Sequence, residues 1–279
     1  MSADDGAPAL AQVADLRVGL IGLGALGGEI VRIFAECHPA VRFSALVRSK
    51  RPLSAACAGV VRTVTTVEDL LADAPSVVIE VAGHEAVATH VPRLLAAGIP
   101  VIVASIGALF DEHLLQTLLQ AQRGRGRLVL PSGAIGGLDY LRALALVPAG
   151  ARVIYTSRKP PAAWTAELRA LHIDPDGLEE EAVLFTGSAH EAAQRFPRNL
   201  NVAMSIALAC GGLHALEVHV IADPKVTVNT HEIKALSALG FVEMRFANSP
   251  SPVNPKSSLV TAYSLCEEAW RLCEAAVSV

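Results

Sequence analysis

The chain has 279 residues, 52% of them hydrophobic and 18% charged, with a formal net charge of -4. That length and balance suit a folded protein with a sizeable core and speak against extended disorder. The slight acidity gives no electrostatic reason to expect nucleic acid or an anionic membrane as partner, and no run of about 20 uninterrupted apolar residues offers a spanning helix.

The opening stretch, MSADDGAPALAQVADLR, carries acids where a secretory leader carries positive charge. Residues 1–14 are therefore expected to be a disordered lead-in. From Arg17 the order is strand, glycine turn, helix. Arg17–Ile21 is a short apolar strand, Gly22, Gly24 and Gly27 form G-x-G-x-x-G, and Glu29–Cys37 has helical apolar spacing ended by Pro39. The three glycines serve different ends. Gly22 permits the turn, Gly24 admits a pyrophosphate to the backbone, and Gly27 lets helix and strand pack closely. The N–H groups at the helix start, Ala25 and Leu26 among them, attract phosphate.

An alternating rhythm follows. VRFSALV, SVVIEVAG, PVIVAS and RLVLPSGAIGG read as strands, and HEAVATHVPRLLAAG and DEHLLQTLLQAQR as helices. The expected fold is α/β, with a doubly wound parallel Rossmann sheet over residues 15–135. Ligands in such sheets bind beyond the carboxyl ends of the strands. Three ends are suitable: Gly83 with His84, Ser105 to Gly107, and Gly133 to Gly136 around Ala134. The second strand lacks the acid that grips the ribose of NAD. It reads LVRSKRP instead, with Arg48, Lys50 and Arg51 able to seat a 2′-phosphate. Both NAD and NADP are expected as cofactors.

After Gly137 the pattern changes. ARVIYTSRKPPAAW begins as a strand, EEAVLFTGS is a strand, AHEAAQRFP and RNLNVAMSIALAC begin helices, and LEVHVIA, VTVNTHEI and FVEMRFA are strand-like runs. Residues 136–256 are predicted to be an α+β substrate domain, with an open mixed or antiparallel sheet covered by helices on one side. Residues 257–279 form a C-terminal amphipathic helix. A strand over Val226–Ile233 would put Thr227, Asn229 and His231 on a polar face, with Val226, Val228 and Thr230 opposite. Cys37, Cys57, Cys210, Cys266 and Cys273 are odd in number and hold no C-x-x-C pair. Neither a disulfide framework nor a metal site is expected, and a reducing cytoplasm fits.

The succession GLGALG, EVAGH, SIGAL, PSGAIGGLD, SRKPPAAW, FPRNLNVA, IADPKVTVNTHEI and SPVNPKSS resembles the L-aspartate dehydrogenase family from Gly22 to Ser258. The glycine fingerprint is shared with many dehydrogenases; the later motifs, in this order, are far more specific. The resemblance implies a Rossmann domain followed by a substrate domain, and a homodimer. The implied reaction oxidises L-aspartate to iminoaspartate with NAD or NADP. That product hydrolyses to oxaloacetate and ammonia or feeds NAD biosynthesis. It also implies that His231 is the active-site residue and that Ala134 and Asn201 touch the cofactor; Asn199, the near neighbour of Asn201, is a candidate for binding substrate.

Chemistry adds further candidates. Histidine titrates near working pH, so His231 can take a proton from the substrate ammonium or activate the hydrolytic water. The substrate is a dianion, which asks for cations: Lys256 in NPKSS, and Arg158 or Lys159 in SRKPP. Asn229 is positioned to hold the imidazole tautomer or touch a carboxylate. Two other readings stand beside this one. The first is another NAD(P)-dependent reductase, of the dihydrodipicolinate reductase or homoserine dehydrogenase type, although His231 has no adjacent histidine as the former's motif requires. The second is a non-catalytic cofactor-binding sensor.

Overall fold

In a computed structural model of the chain, residues 16–196, 201–252 and 257–277 are described, the last three by backbone alone. The lead-in expected over 1–14 lies outside them. Two compact units emerge. The first holds the chain up to Val103, Leu118–Val129 and everything from Leu265; the second holds Ala104–Thr117 and Leu130–Ser264.

The first unit contains a parallel six-stranded sheet. Its strands are β1 (Arg17–Ile21), β2 (Arg42–Leu46), β3 (Val61–Val64), β4 (Val77–Glu80), β5 (Val101–Val103) and β6 (Leu128–Val129), in the order β3-β2-β1-β4-β5-β6. Consecutive apolar residues such as Val77, Val78 and Ile79 are fully buried, as expected of strands covered on both faces. The order reverses beside β1, where Ile21 lies opposite both Leu46 and Glu80, so three strand ends meet at one point. Helices α1 (Ala25–Cys37), α2 (Val67–Ala72) and α3 (His84–Ala96) belong to this unit, and α4 (Glu112–Ala121) passes from the second unit into the first. Helix α1 buries Ile30, Val31, Ile33 and Phe34 at helical spacing. The C-terminal helix, Val260–Val277, joins it from Leu265 onward. Its Cys266 thiol lies 3.8 Å from the Ile30 carbonyl, and Trp270 stacks on His38 at 3.5 Å between centroids.

The second unit is built on a five-stranded mixed sheet. Helix α5 (Leu138–Leu144) precedes β7 (Arg152–Lys159), and α6 (Thr165–Ala170) precedes β8 (Ala182–Ser188). Helices α7 (Ala189–Arg195) and α8 (Asn201–Ala209) lead to β9 (Leu216–Ala222), β10 (Asn229–Ser237) and β11 (Gly240–Asn248). The order is β11-β10-β7-β9-β8, with β7 and β9 parallel and the other pairs antiparallel. One face of the sheet buries Val153, Tyr155, Val218, Val220, Ile233 and Ala235, and α7 and α8 pack on β9. Lys234 and Leu236, on the other face of β10, are exposed.

Two expectations are corrected. The strand predicted over Val226–Ile233 begins only at Asn229. Asp223 closes a turn ahead of it, accepting from the Lys225 N–H at 2.8 Å through its carboxylate and from the Val226 N–H through its carbonyl. His231 shares its face with Asn229, as expected, but that face continues into Ile233 and Ala235 and is buried. The expected boundaries at 135/136 and 256/257 do not coincide with the division into compact units. The second unit takes in 104–117 and starts again at Leu130, and the C-terminal helix packs with the first unit, because chain continuity does not decide which core buries a segment.

Candidate active site

The first unit presents a glycine turn shaped for a phosphate. Gly22 has φ +95°, and a Cβ there would stand 2.9 Å from the Ala82 Cβ. A Cβ on Gly27 would stand 2.7 Å from the Gly22 carbonyl oxygen, so the helix start can approach the turn only without a side chain. Gly24 is different: nothing lies within 4 Å of where its Cβ would be. No side chain caps the helix that begins at Ala25 and Leu26. Open space at Gly24 and an uncapped N-terminus fit a pyrophosphate.

Around this turn, Arg48, Ser49 and Lys50 are exposed just past β2. Gly83 takes φ +116° and opens α3, with His84 exposed beside it. Glu80 bears no motif of its own in the sequence. It is fully buried at the end of β4, and its carboxylate accepts the N–H groups of Ala82 at 2.7 Å and Gly83 at 2.8 Å. An acid closing the apolar run SVVIEVAG was the available signal.

In the second unit, register places His231 between Ser157 on β7 and Phe246 on β11. Alternation along β7 puts Tyr155, Ser157 and Lys159 on the same face. The Tyr155 phenol lies 2.8 Å from His231 Nδ1, and the two rings are nearly parallel, 17° apart. Both residues are buried. Burial, and then the charge of Lys159, push the His231 pKa down to about 4. The imidazole is thus neutral near pH 7. Burial raises the Tyr155 pKa, partly offset by the Ser157 hydroxyl, so the phenol keeps its proton. When that proton points to Nδ1, Nε2 carries the ring hydrogen and is a donor. When Nδ1–H donates to the phenol oxygen, Nε2 has its lone pair free and is a base.

The two cations of SRKPP separate. Arg158 faces the opposite side of the sheet, where it pairs with Glu181, with Asp223 at 3.0 Å and with Glu232 at 3.1 Å. It is committed to that acidic cluster, which removes it as a substrate ligand. Lys159 is buried on the His231 face, with its Nζ 5.1 Å from the Trp164 ring centroid. Asn229 is buried two residues before His231, but the partner on Nδ1 is Tyr155, so the tautomer-holding part expected of Asn229 is corrected.

Two loops expected to meet a cofactor are pinned in this unit. Asn201 Oδ1 accepts the Gly107 N–H at 2.9 Å, tying α8 to the Ser105–Gly107 turn and its short 3-10 helix, Ile106–Phe110. Asn248, which faces Asn229 across the hairpin, donates to the Ala134 carbonyl at 2.7 Å. Gly136 lies against Phe246 and Gly137, at φ +75°, against Met244, whose thioether would have to move aside for a Cβ there. Tyr155, Trp164 and Asn248 escaped the sequence reading as site residues. Asn199 and Lys256 lie outside the described residues.

Two family models match the chain: "Aspartate dehydrogenase, C-terminal" over residues 139–272 and "Homoserine dehydrogenase, NAD binding domain" over residues 22–131. L-aspartate dehydrogenase 2 of Bordetella pertussis is 43% identical over 251 residues, 89% of this chain and 94% of the relative. The L-aspartate dehydrogenase of Polaromonas sp. is 39% identical over 254 residues, 90% of this chain and 95% of the relative. Among solved structures, aspartate dehydrogenase from Thermotoga maritima superposes with a TM-score of 0.72 at 28% identity, covering 92% of this chain and 96% of its own. A homoserine dehydrogenase from Thiobacillus denitrificans, at TM-score 0.57 and 14% identity over 93% of this chain and 74% of its own, shares the fold. With likeness running through both units and nearly the whole of its relatives' length, the chain belongs to the L-aspartate dehydrogenase family.

Proposed function

We propose that the chain oxidises L-aspartate to iminoaspartate with a nicotinamide cofactor, as an oxidoreductase acting on a CH–NH2 donor, and that the reaction is reversible. The product hydrolyses to oxaloacetate and ammonia, or serves as a precursor for NAD biosynthesis. The observation that carries this reading is the 43% identity to a named L-aspartate dehydrogenase along nearly the whole chain.

The residues divide the work. Gly22, Gly24, Ala25, Leu26 and Gly27 hold the pyrophosphate through backbone N–H groups. Gly83, His84, Ser105, Ala134 and Asn201 form the remaining cofactor contacts. When bound, the oxidised nicotinamide accepts the hydride from Cα of the amino acid. His231, neutral at pH 7 and holding Nε2 free while Nδ1–H rests on Tyr155, takes a proton from the substrate ammonium. In the reverse direction the protonated imidazole returns it. Asn199, Asn229 and Lys256 are proposed to contact substrate.

Arg48, with Lys50 and Arg51, supports use of both NADP and NAD, since the cluster suits a 2′-phosphate and the second strand does not end in an acid. A Michaelis constant for NADP far above that for NAD would retire this point. A homodimer is part of the same proposal, read by light scattering. So is a cytoplasmic location, which five free thiols favour.

Purified protein mixed with L-aspartate and NAD or NADP should generate reduced nicotinamide, followed by absorbance. Oxaloacetate with ammonia should consume it. Silence with aspartate and turnover with another amino acid would move the assignment to a different dehydrogenase. Cofactor binding without any turnover would favour a sensor.

A further inference from the structure

A substrate with two carboxylates needs cationic and N–H donors, and Lys159 lies two residues along β7 from Ser157, the strand partner of His231. Lys159 and Trp164 are both buried, the latter 1% exposed. The ammonium stands over the indole ring, close enough to His231 for its charge to act on the imidazole. Trp164 packs edge-on against Phe196 at 5.7 Å between centroids. Its indole N–H is the one buried side-chain polar atom without a hydrogen-bond partner among the described residues. A buried donor left without a partner costs stability, and the cost is removed when a ligand oxygen arrives.

We infer that Lys159 and Trp164 together receive one carboxylate of the substrate, the ammonium pairing with its charge and the indole N–H donating to an oxygen. The inference rests on the reading of the chain as an aspartate dehydrogenase, and adds to it the residues that select a dicarboxylic amino acid. It also gives the unpaired indole N–H of Trp164 a partner. The 3-10 turn Pro161–Trp164 follows β7 directly, so strand and turn deliver the two donors from one short segment.

Trp164→Phe keeps an aromatic ring against Phe196 but removes the N–H together with part of the indole, leaving a small cavity. It should raise KM for L-aspartate about tenfold, the scale of one hydrogen bond to a charged group. KM for cofactor and kcat should stay within about twofold, and thermal stability should fall modestly as the buried indole is cut back. Lys159→Met should raise the aspartate KM further, by about 10²-fold, leaving cofactor binding intact. A normal aspartate KM in Trp164→Phe, with an active wild type, overturns the seat and leaves the proposed function standing.

A second readout needs no turnover. Trp164 and Trp270 are the two tryptophans of the chain. In a Trp270→Phe background, indole emission reports Trp164 alone. Succinate, an unreactive dicarboxylate, should change that emission saturably, and Lys159→Met should abolish the change. No response to succinate overturns the inference. A response in a protein that fails to oxidise aspartate sustains the seat and counts against the reaction.

Discussion

At the scale of single residues, the buried Tyr155–His231 pair is the feature from which most follows. Tyr155→Phe removes the partner of Nδ1 while keeping the ring stack. It should lower kcat by about 10–10²-fold and shift the acid limb of the kcat pH profile, with a smaller change in KM; an unshifted profile would make Tyr155 mere packing. The imidazole also makes stability depend on pH. Its folded pKa of about 4 lies below the usual 6.5, so the unfolded chain takes up this proton first. Stability present above pH 6.5 is therefore lost as pH falls toward 4, by roughly 3 kcal/mol at most. Urea titrations at pH 7 and pH 4.5 should show the loss, and His231→Gln should blunt it. His231 was legible in the sequence because a motif marks it. Tyr155 was not, because only the register of β7 against β10 brings together residues 76 positions apart.

At the scale of elements, the glycine turn offers a paired test. Gly27→Ala drives a methyl into the Gly22 carbonyl, so thermal stability and cofactor affinity should both fall. Gly24→Ala meets open space in the protein, so stability should hold while cofactor affinity falls by about tenfold or more through collision with phosphate. Equal effects on stability would contradict the separate roles of these positions. This turn was readable because glycine spacing states a backbone requirement directly. Strand β3 and helix α2 were passed over: Val61–Val64 is four residues long and interrupted by Arg62 and Thr63, too short for a period to declare itself. The late start of β10 was hidden for a related reason. Val226 and Val228 alternate like strand residues, but the Asp223 turn governs their backbone.

At the scale of the whole molecule, the two units trade segments that sequence order does not foretell. Periodicity identified the C-terminal helix but carries no address for the core that buries it. Leu265, Cys266, Ala269 and Cys273 are buried along that helix, and Trp270 lies on His38. Ending the chain at Ser264 should therefore uncover α1 and cost several kcal/mol. Hydrogen exchange should show protection falling in α1 and persisting in β7 and β10. Uniform loss of protection would mean that the units unfold as one.

That returning helix also imposes a timetable on biosynthesis. The strands of the nucleotide-binding lobe precede those of the other lobe in the chain, yet its last wall is translated after every one of them. Until then helix α1 lacks the contacts that Cys266 makes at the Ile30 carbonyl and Trp270 makes at His38, so the first sheet's lobe closes only after the strands of the second have been made.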